Sequence, residues 1–303
     1  MSRFAAFVIR CSGRKRLYAN PKKREKYIEK LRVKNAKPLH LPAYGYLSAP
    51  KKQTMDGVEM ITFNAGSEEK IIYLHGGAFC EPPLLPHFLL CDTIAGHTDY
   101  EVLFPVYPKA PDNTFETTFS FLEKLYRGLL ETVEPENLVL MGDSSGGGLA
   151  LSFCEYLNTV GLPQPSRMIL LSPWLDVSMD TPFDAEIDRI DPNLQYDFLK
   201  EAGKNWAGVT EVHDYRVSPI YGNLKGLAPM TVYYGTHENL ILDARRFQEK
   251  CREAGAALDY REVEGMNHVF VVYPIPEAKK AQKEIIEILN KNADNCQKQP
   301  SVL

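Results

Sequence analysis

A short glycine-rich motif, G-D-S-S-G at residues 142–146, is the feature that most restricts how this chain can fold. It follows the apolar run 138–141 and precedes a helical pattern, so a strand must turn sharply into a helix at this point. Glycines lack a Cβ atom, which lets neighbouring backbone approach the turn closely. The turn exposes the Ser144 hydroxyl at a helix N-terminus, where the helix dipole favours a developing negative charge. We therefore predict Ser144 as a catalytic nucleophile.

Short apolar runs and helical patterns alternate from about residue 58 onward. The runs are continuously apolar, which is typical of parallel strands covered on both faces. We predict strands at residues 58–63, 71–74, 102–106, 138–141, 168–171, 230–234 and 258–261. We predict helices at residues 115–129, 146–159, 243–254 and 277–291. This order indicates an α/β fold class, with one domain over residues 1–303 and a mostly parallel, doubly wound sheet.

One interval breaks the alternation and predicts a cap. Between Leu171 and Met230 the sequence holds polar turns and one helical stretch near residues 197–206, but no strand pattern. We interpret residues 176–215 as an insertion over the C-terminal edge of the sheet, where ligands bind in such folds. The first 45 or so residues are expected to join this insertion, because loops of that length inside a compact domain are usually either functional lids or disordered.

The N-terminal arm is strongly basic. Residues 1–40 hold thirteen Lys or Arg and two Glu, whereas the whole chain has a net charge of -4. Such an arm can bind an anionic lipid surface, but its weak amphipathicity favours packing over the main domain. Membrane contact therefore stays open without being favoured, and a homodimer also stays open. Neither a basic–aromatic stripe nor zinc-ligand spacing indicates a nucleic-acid partner.

The cysteines and the N-terminus bear on the compartment. Six cysteines are scattered along the chain without a paired motif, which favours reduced, structural thiols. The apolar stretch at residues 4–9 is shorter than the core of a signal peptide, and no small-residue cleavage site follows it. We predict a cytoplasmic protein.

A second glycine motif predicts the oxyanion hole. The buried run 71–74 leads into His75-Gly76-Gly77-Ala78. A hydrolytic serine needs N–H donors aimed at the negatively charged oxygen of the tetrahedral intermediate. We predict that Gly76, Gly77 and Ser145 supply these N–H groups and that His75 only holds the loop.

The base and the acid are expected late in the chain, in the order nucleophile, acid, base. His268 follows the last predicted strand and is predicted as the base, whereas His237 directly precedes the acid candidate Glu238 and suits this role less. Glu238 lies in the loop after the strand at residues 230–234. Two alternatives stay open for the acid: Asp243, which resembles a helix N-cap, and Asp176, which follows the preceding strand.

These motifs resemble the hormone-sensitive-lipase-like branch of the α/β-hydrolases. HGGAF at residues 75–79 and GDSSGGG at 142–148 carry the resemblance, with SPWLD at 172–176 and VSP at 217–219. It covers roughly residues 58–290 and implies hydrolysis of carboxylic esters through an acyl-enzyme, a helical cap, and neither cofactor nor metal. The chain departs from this branch at three positions: Ala78 replaces a third glycine, Ser145 replaces alanine, and Glu238 replaces aspartate.

The expected substrate is a small acyl ester with a short- to medium-chain acyl group. Apolar residues after the strand ends are predicted to line its pocket. These residues are Phe79, Leu84, Leu85, Trp174 and Phe270. Two other functions stay open: an amidase or aryl-formamide hydrolase with the same triad, and a non-catalytic ligand-binding protein on the same fold.

Overall fold

An eight-stranded sheet forms the centre of the protein in the computed structural model, which describes residues 20–298 and the side chains of residues 20–293. Its strands are β1 (Lys51–Met55), β2 (Val58–Phe63), β3 (Lys70–Leu74), β4 (Glu101–Pro105), β5 (Leu138–Asp143), β6 (Arg167–Leu171), β7 (Met230–His237) and β8 (Leu258–Asn267). Their order across the sheet is β1-β2-β4-β3-β5-β6-β7-β8. The pairs β1–β2 and β2–β4 are antiparallel and the other pairs are parallel, so the predicted mostly parallel sheet is confirmed.

Helices cover both faces of this sheet. They are α1 (Pro21–Asn35), α2 (Leu85–Ala95), α3 (Phe115–Leu130), α4 (Ser144–Thr159), α5 (Ala185–Ile190), α6 (Tyr196–Ala207), α7 (Ile241–Ala254) and α8 (Pro276–Lys298). Phe153 of α4 lies in the core on one face and Phe88 of α2 in the core on the other. The neighbours Ile71 and Ile72 of β3 point into opposite cores, because successive side chains of a strand alternate. Burial on both faces accounts for the continuous apolar runs.

Several elements have no counterpart among the ranges predicted from sequence, and β1 and α2 show why. β1 is an edge strand whose residues are mostly exposed, so its sequence, KKQTM, lacks an apolar pattern. α2 is apolar nearly all round and buries Phe88, Leu90, Cys91 and Ile94, so it lacks the one-sided period of an amphipathic helix. None of the helices within residues 20–298 is both long enough and apolar enough to cross a bilayer.

The segment between β6 and β7 contains α5 and α6 but no strand, as predicted. α1 lies beside α6, since the Arg24 guanidinium donates to the Glu201 carboxylate at 2.8 Å. Leu31 of α1 is 1% exposed and belongs to the main core. The first nineteen residues of the predicted arm lie outside the described residues, and the cap boundaries stay a prediction.

Candidate active site

Ser144 lies at a tight turn between β5 and α4. Its backbone has φ = 51°, a left-handed conformation that residues with a side chain rarely adopt. A Cβ atom on Gly146 would lie 2.0 Å from the carbonyl oxygen of Leu74, and one on Gly142 would lie 2.5 Å from the carbonyl oxygen of Gly146. The glycines are therefore required by close contact between the turn and β3, which holds the Ser144 side chain at the end of the sheet.

His268 and Glu238 approach Ser144 from the ends of β8 and β7, two strands that lie side by side in the sheet. His268 follows β8 and Glu238 follows β7. The Glu238 carboxylate can only accept, so His268 Nδ1 donates to Glu238 Oε2 at 2.5 Å and leaves Nε2 to accept from the Ser144 hydroxyl at 2.8 Å. Glu238 is completely buried, and its other oxygen accepts from the Gly235 N–H at 3.1 Å. The structure thus brings together the serine, histidine and glutamate predicted from the sequence.

Burial and charge oppose each other at His268. Burial disfavours the imidazolium, but the hydrogen bond and the charge of Glu238, followed by the charges of Asp191 and Asp143, outweigh this effect and raise the pKa of His268 above its ordinary value. The surroundings therefore favour the protonated form that arises when the imidazole takes a proton from Ser144.

The alternative acid Asp243 lies elsewhere in the structure. It belongs to the first turn of α7, and its carboxylate accepts from the Thr181 hydroxyl. The expectation that Asp243 is the N-cap of this helix is wrong, because Leu240 holds that position and makes no side-chain cap. Burial raises the pKa of Asp243 to about 6, even though the Thr181 bond acts to lower it.

The other alternative acid, Asp176, is also satisfied by other partners. It is completely buried and accepts from the Tyr221 hydroxyl at 2.7 Å and from the Ser178 N–H at 3.0 Å. Arg246 approaches the same carboxylate at 3.4 Å. Within the described chain, Asp176 has no hydrogen bond to His268, so it is not the residue that holds the imidazole.

The loop after β3 differs from the prediction at one donor. The Gly76 N–H donates to Asp143 Oδ1 at 3.0 Å, so the predicted role of Gly76 as an oxyanion donor is wrong. The next two N–H groups, those of Gly77 and Ala78, have no partner among residues 20–298. Both residues have positive φ, 122° and 50°. Gly77, Ala78 and Ser145, which lies in the first turn of α4, are therefore the donors available beside Ser144. We call residues 75–81, the segment that follows β3, the oxyanion loop.

Asp143 holds this loop against the sheet. Besides the Gly76 N–H, its Oδ1 accepts from the Tyr73 hydroxyl at 2.8 Å, and His87 Nε2 lies 3.3 Å from its Oδ2. Burial opposes its charge, but His87, Tyr73 and Gly76 together hold the pKa of Asp143 below its usual range. Asp143 therefore stays a carboxylate, and the prediction from sequence missed this role because it depends on partners from two other segments, residues 73–76 and the helix α2.

His75 lies behind the loop, as predicted, and has no hydrogen bond to Ser144 among the described residues. Its Nδ1 lies 2.7 Å from the carbonyl oxygen of Gly76, and its ring stacks on Tyr107 with centroids 4.6 Å apart. Burial, together with the charges of Lys109 and His87, lowers the pKa of His75 well below its ordinary value. A neutral, stacked imidazole is suited to support the loop rather than to transfer protons.

A cavity of about 160 Å³ opens beside Ser144 and His268. Its apolar wall comes from three segments: Leu84 after the oxyanion loop, Leu194, Phe198 and Leu199 from the insertion, and Val272 and Tyr273 after His268. The insertion therefore forms part of the wall around the serine.

Only Leu84 of the five predicted pocket residues lines this cavity. Leu85 is 37% exposed and lies on the outside, and Phe270 is buried in the core beside α2 and α8. Phe79 stacks on Trp206 with centroids 4.2 Å apart and on Trp174 with centroids 5.6 Å apart. These aromatic rings pack together in the core behind the oxyanion loop, which is why they do not reach the cavity beside Ser144.

Comparison with known proteins identifies the family. The model of the alpha/beta hydrolase fold family matches residues 71–272 of this chain, a stretch that contains all three residues of the Ser144–His268–Glu238 arrangement. The chain belongs to the alpha/beta hydrolase fold family. An esterase of Acinetobacter venetianus is 31% identical to this alpha/beta hydrolase over 233 residues, covering 76% of this chain and 77% of the relative.

Solved structures show the same relationship. A crystal structure of a provisionally assigned esterase from Staphylococcus aureus has a TM-score of 0.86 and 30% identity, covering 89% of this chain and 93% of that chain. A bacterial esterase of the hormone-sensitive lipase family has a TM-score of 0.78 and 26% identity, covering 90% of this chain and 99% of that chain. The resemblance expected from the sequence motifs is thus confirmed for this alpha/beta hydrolase.

Proposed function

We propose that this alpha/beta hydrolase is a serine carboxylesterase with Ser144, His268 and Glu238 as its catalytic triad. The observation that carries this proposal is the continuous hydrogen-bonded chain from Ser144 Oγ through His268 to Glu238, next to the unbonded N–H groups of Gly77 and Ala78. An activated serine beside preorganised donors is the arrangement that acyl transfer requires. The relatives named as esterases support the choice of an ester as substrate.

Each group has one role in the proposed reaction. Ser144 Oγ attacks the acyl carbonyl carbon while its proton passes to His268 Nε2. The N–H groups of Gly77, Ala78 and Ser145 bind the oxyanion, and Glu238 stabilises the imidazolium. His268 then gives the proton to the leaving alkoxide, which departs as the alcohol. In the second half His268 takes a proton from a water molecule that attacks the acyl carbonyl carbon. The bond between that carbon and Ser144 Oγ then breaks, the carboxylic acid is released, and His268 returns the proton to Ser144 Oγ.

The size of the cavity supports our proposal that the substrate carries a short- to medium-chain acyl group. At about 160 Å³ it is small, and its wall is mainly apolar. The triad lies at the buried end of this space, since Ser144 is 9% exposed and His268 is 7% exposed. A long acyl chain would have to extend past Leu194 and Phe198, so we expect turnover to decline as the chain lengthens.

We further propose a cap built from about residues 1–45 and 176–215. Its described parts are linked to the oxyanion loop, because the Tyr27 hydroxyl donates to Glu81 at 2.6 Å and the Asn35 amide donates to the Cys80 carbonyl at 2.8 Å. These contacts favour packing of α1 on the enzyme over its insertion into lipid.

A cytoplasmic location is proposed from the thiols. Cys80, Cys91, Cys154 and Cys251 are free and buried, which suits a reducing compartment. A homodimer stays a prediction.

A fluorophosphonate probe tests the nucleophile directly. It should label Ser144 of the wild type covalently and leave Ser144→Ala unlabelled, because only an activated serine reacts rapidly. In parallel, the wild type is assayed with p-nitrophenyl esters of increasing acyl length and with a matched p-nitroanilide. We expect the short esters to be hydrolysed fastest. Label on another serine would contradict the assignment. Faster cleavage of the anilide than of the esters would favour an amidase, and the absence of both label and turnover would favour a ligand-binding protein.

A further inference from the structure

Asp191 is a buried carboxylate of the insertion that the proposed mechanism does not use. It directly follows α5 and is 2% exposed. Its Oδ1 accepts the N–H groups of Asn193 at 2.8 Å and Leu194 at 3.0 Å, and these contacts shape the loop that lines the substrate cavity. Its Oδ2 accepts the N–H of Asn239 at 2.8 Å. Because Asn239 is the residue after Glu238, one carboxylate joins the cavity wall to the loop that carries the acid.

Side-chain contacts strengthen the same connection. The Asn239 amide donates to Asp188 Oδ1 at 3.2 Å and to the Leu194 carbonyl at 3.4 Å. The Asn193 amide donates to the Tyr273 hydroxyl at 3.2 Å, in the segment that follows His268. The loop at residues 191–195 is therefore bonded to the segments that hold both the acid and the base.

The charge of Asp191 also acts on the base. It is among the carboxylates that raise the pKa of His268 against the effect of burial, after Glu238, which has the larger effect. Burial in turn raises the pKa of Asp191 to about 6, opposed by the three N–H groups and by the charge of His268. Asp188 of α5 is a further carboxylate in this region, and it accepts from the Asn239 amide. Asp191 is thus ionised near neutral pH and loses its charge in weakly acidic solution.

We propose that Asp191 is a positioning residue for the triad. Its carboxylate fixes the Glu238 loop through Asn239 and supplies negative potential that stabilises the imidazolium of His268 in the transition state. The insertion would then contribute to the proton transfer as well as to the cavity wall. This inference rests on the proposed role of the triad.

The sign of the pH effect follows from the charges. A negative charge near His268 favours its protonated form, so removing that charge lowers the pKa of His268. The acid limb of the kcat/KM profile reports the pKa of the base in the free enzyme. Neutralising Asp191 should therefore move this limb to lower pH while reducing the plateau, because the imidazolium in the transition state loses part of its stabilisation.

Two neutral variants and two controls test the proposal. Asp191→Asn and Asp191→Ser can each still accept an N–H bond from the loop, which guards against misfolding. Asp191→Glu keeps the charge. Asp180→Asn removes a charge from the same insertion, but this carboxylate is 54% exposed and pairs with His213. Each variant is assayed with p-nitrophenyl acetate from about pH 5 to about pH 9, a range that spans the titration of an ordinary histidine. Thermal melts give the folded fraction.

We expect both neutral variants to lose about tenfold or more in kcat and to show an acid limb displaced downward by about half a unit to one unit. Asp191→Glu should keep the wild-type acid limb, and Asp180→Asn should match the wild type throughout. An unchanged acid limb in both neutral variants, or a loss of activity that only follows the folded fraction, would overturn the proposal. Failure of the proposed function would be seen separately, because Ser144→Ala would then hydrolyse the ester as fast as the wild type. In that case the proposed role of Asp191 would also be wrong.

Discussion

Replacing Glu238 by glutamine removes one charge from a completely buried site without changing its volume. Two N–H groups point at this carboxylate, those of His268 Nδ1 at 2.5 Å and of Gly235 at 3.1 Å. Glutamine has only one acceptor oxygen. If that oxygen faces Gly235, the amide donates to Nδ1 and places the imidazole proton on Nε2, which can then no longer accept the proton of Ser144. If it faces His268, two donors oppose each other near Gly235.

The second arrangement leaves buried donors unsatisfied and costs about 1–3 kcal/mol, so the first should dominate. An imidazole locked in the wrong tautomer lowers kcat of triad hydrolases by roughly 10⁴, which corresponds to about 5.5 kcal/mol of transition-state stabilisation. We therefore expect kcat of Glu238→Gln to fall by about 10³ to 10⁴, with KM little changed. Loss of the Glu238 charge should also lower the pKa of His268, so the remaining activity should extend to lower pH.

The assay is steady-state hydrolysis of p-nitrophenyl acetate over a range of pH, with circular dichroism to establish that the variant is folded. Glu264→Gln is the matched control, because Glu264 is an exposed glutamate on β8, the strand that leads to His268. If Glu238→Gln kept kcat within about tenfold of the wild type, the tautomer argument and the assignment of Glu238 would both be refuted.

Two further predictions concern the turn and the cavity. Gly146→Ala should lower the free energy of unfolding by about 1–3 kcal/mol or more, and with it the melting temperature, because the new Cβ would lie 2.0 Å from the Leu74 carbonyl oxygen. The control Gly128→Ala in α3, where the Cβ meets open space, should instead raise the free energy of unfolding by about 0.5–1 kcal/mol. Equal shifts of the melting temperature in the two variants would contradict this prediction. Leu194→Trp should narrow the cavity and reduce the hydrolysis of p-nitrophenyl hexanoate far more than that of p-nitrophenyl acetate. The control Val209→Trp, at a fully exposed site, should leave the ratio of the two rates unchanged. An equal fractional loss for both esters in Leu194→Trp would argue against an acyl subsite at Leu194.

The three residues of the proposed triad could be predicted from sequence because each of them lies next to a recognisable strand. Ser144, Glu238 and His268 follow β5, β7 and β8, and strands of a parallel sheet end at the same edge. Their convergence is thus a consequence of topology and needs no knowledge of loop geometry.

The donors and the cavity wall could not be predicted in the same way. The direction in which the N–H groups of a Gly-Gly-Ala turn point depends on the backbone dihedral angles. It also depends on Asp143, a residue of another strand, which accepts the hydrogen bond of the Gly76 N–H. Phe79 and Trp174 are large and apolar, as pocket residues often are, but their rings find a better-packed position against Trp206. Asp191 gave no signal at all, because its partners Leu194 and Asn239 are distant in sequence from each other.

The aromatic stack beneath the oxyanion loop also determines what optical spectroscopy can report. The chain has two tryptophans, Trp174 and Trp206, and both contact the ring of Phe79. They are 1% and 0% exposed, so their emission should be blue-shifted in the native protein and shift to the red when this stack opens to water. Tryptophan fluorescence therefore reports on the contact between α6, the segment after β6 and the oxyanion loop. It does not report on fraying of the edge strand β1. A red shift that precedes the loss of helical circular dichroism would measure undocking of α6 separately from unfolding of the sheet.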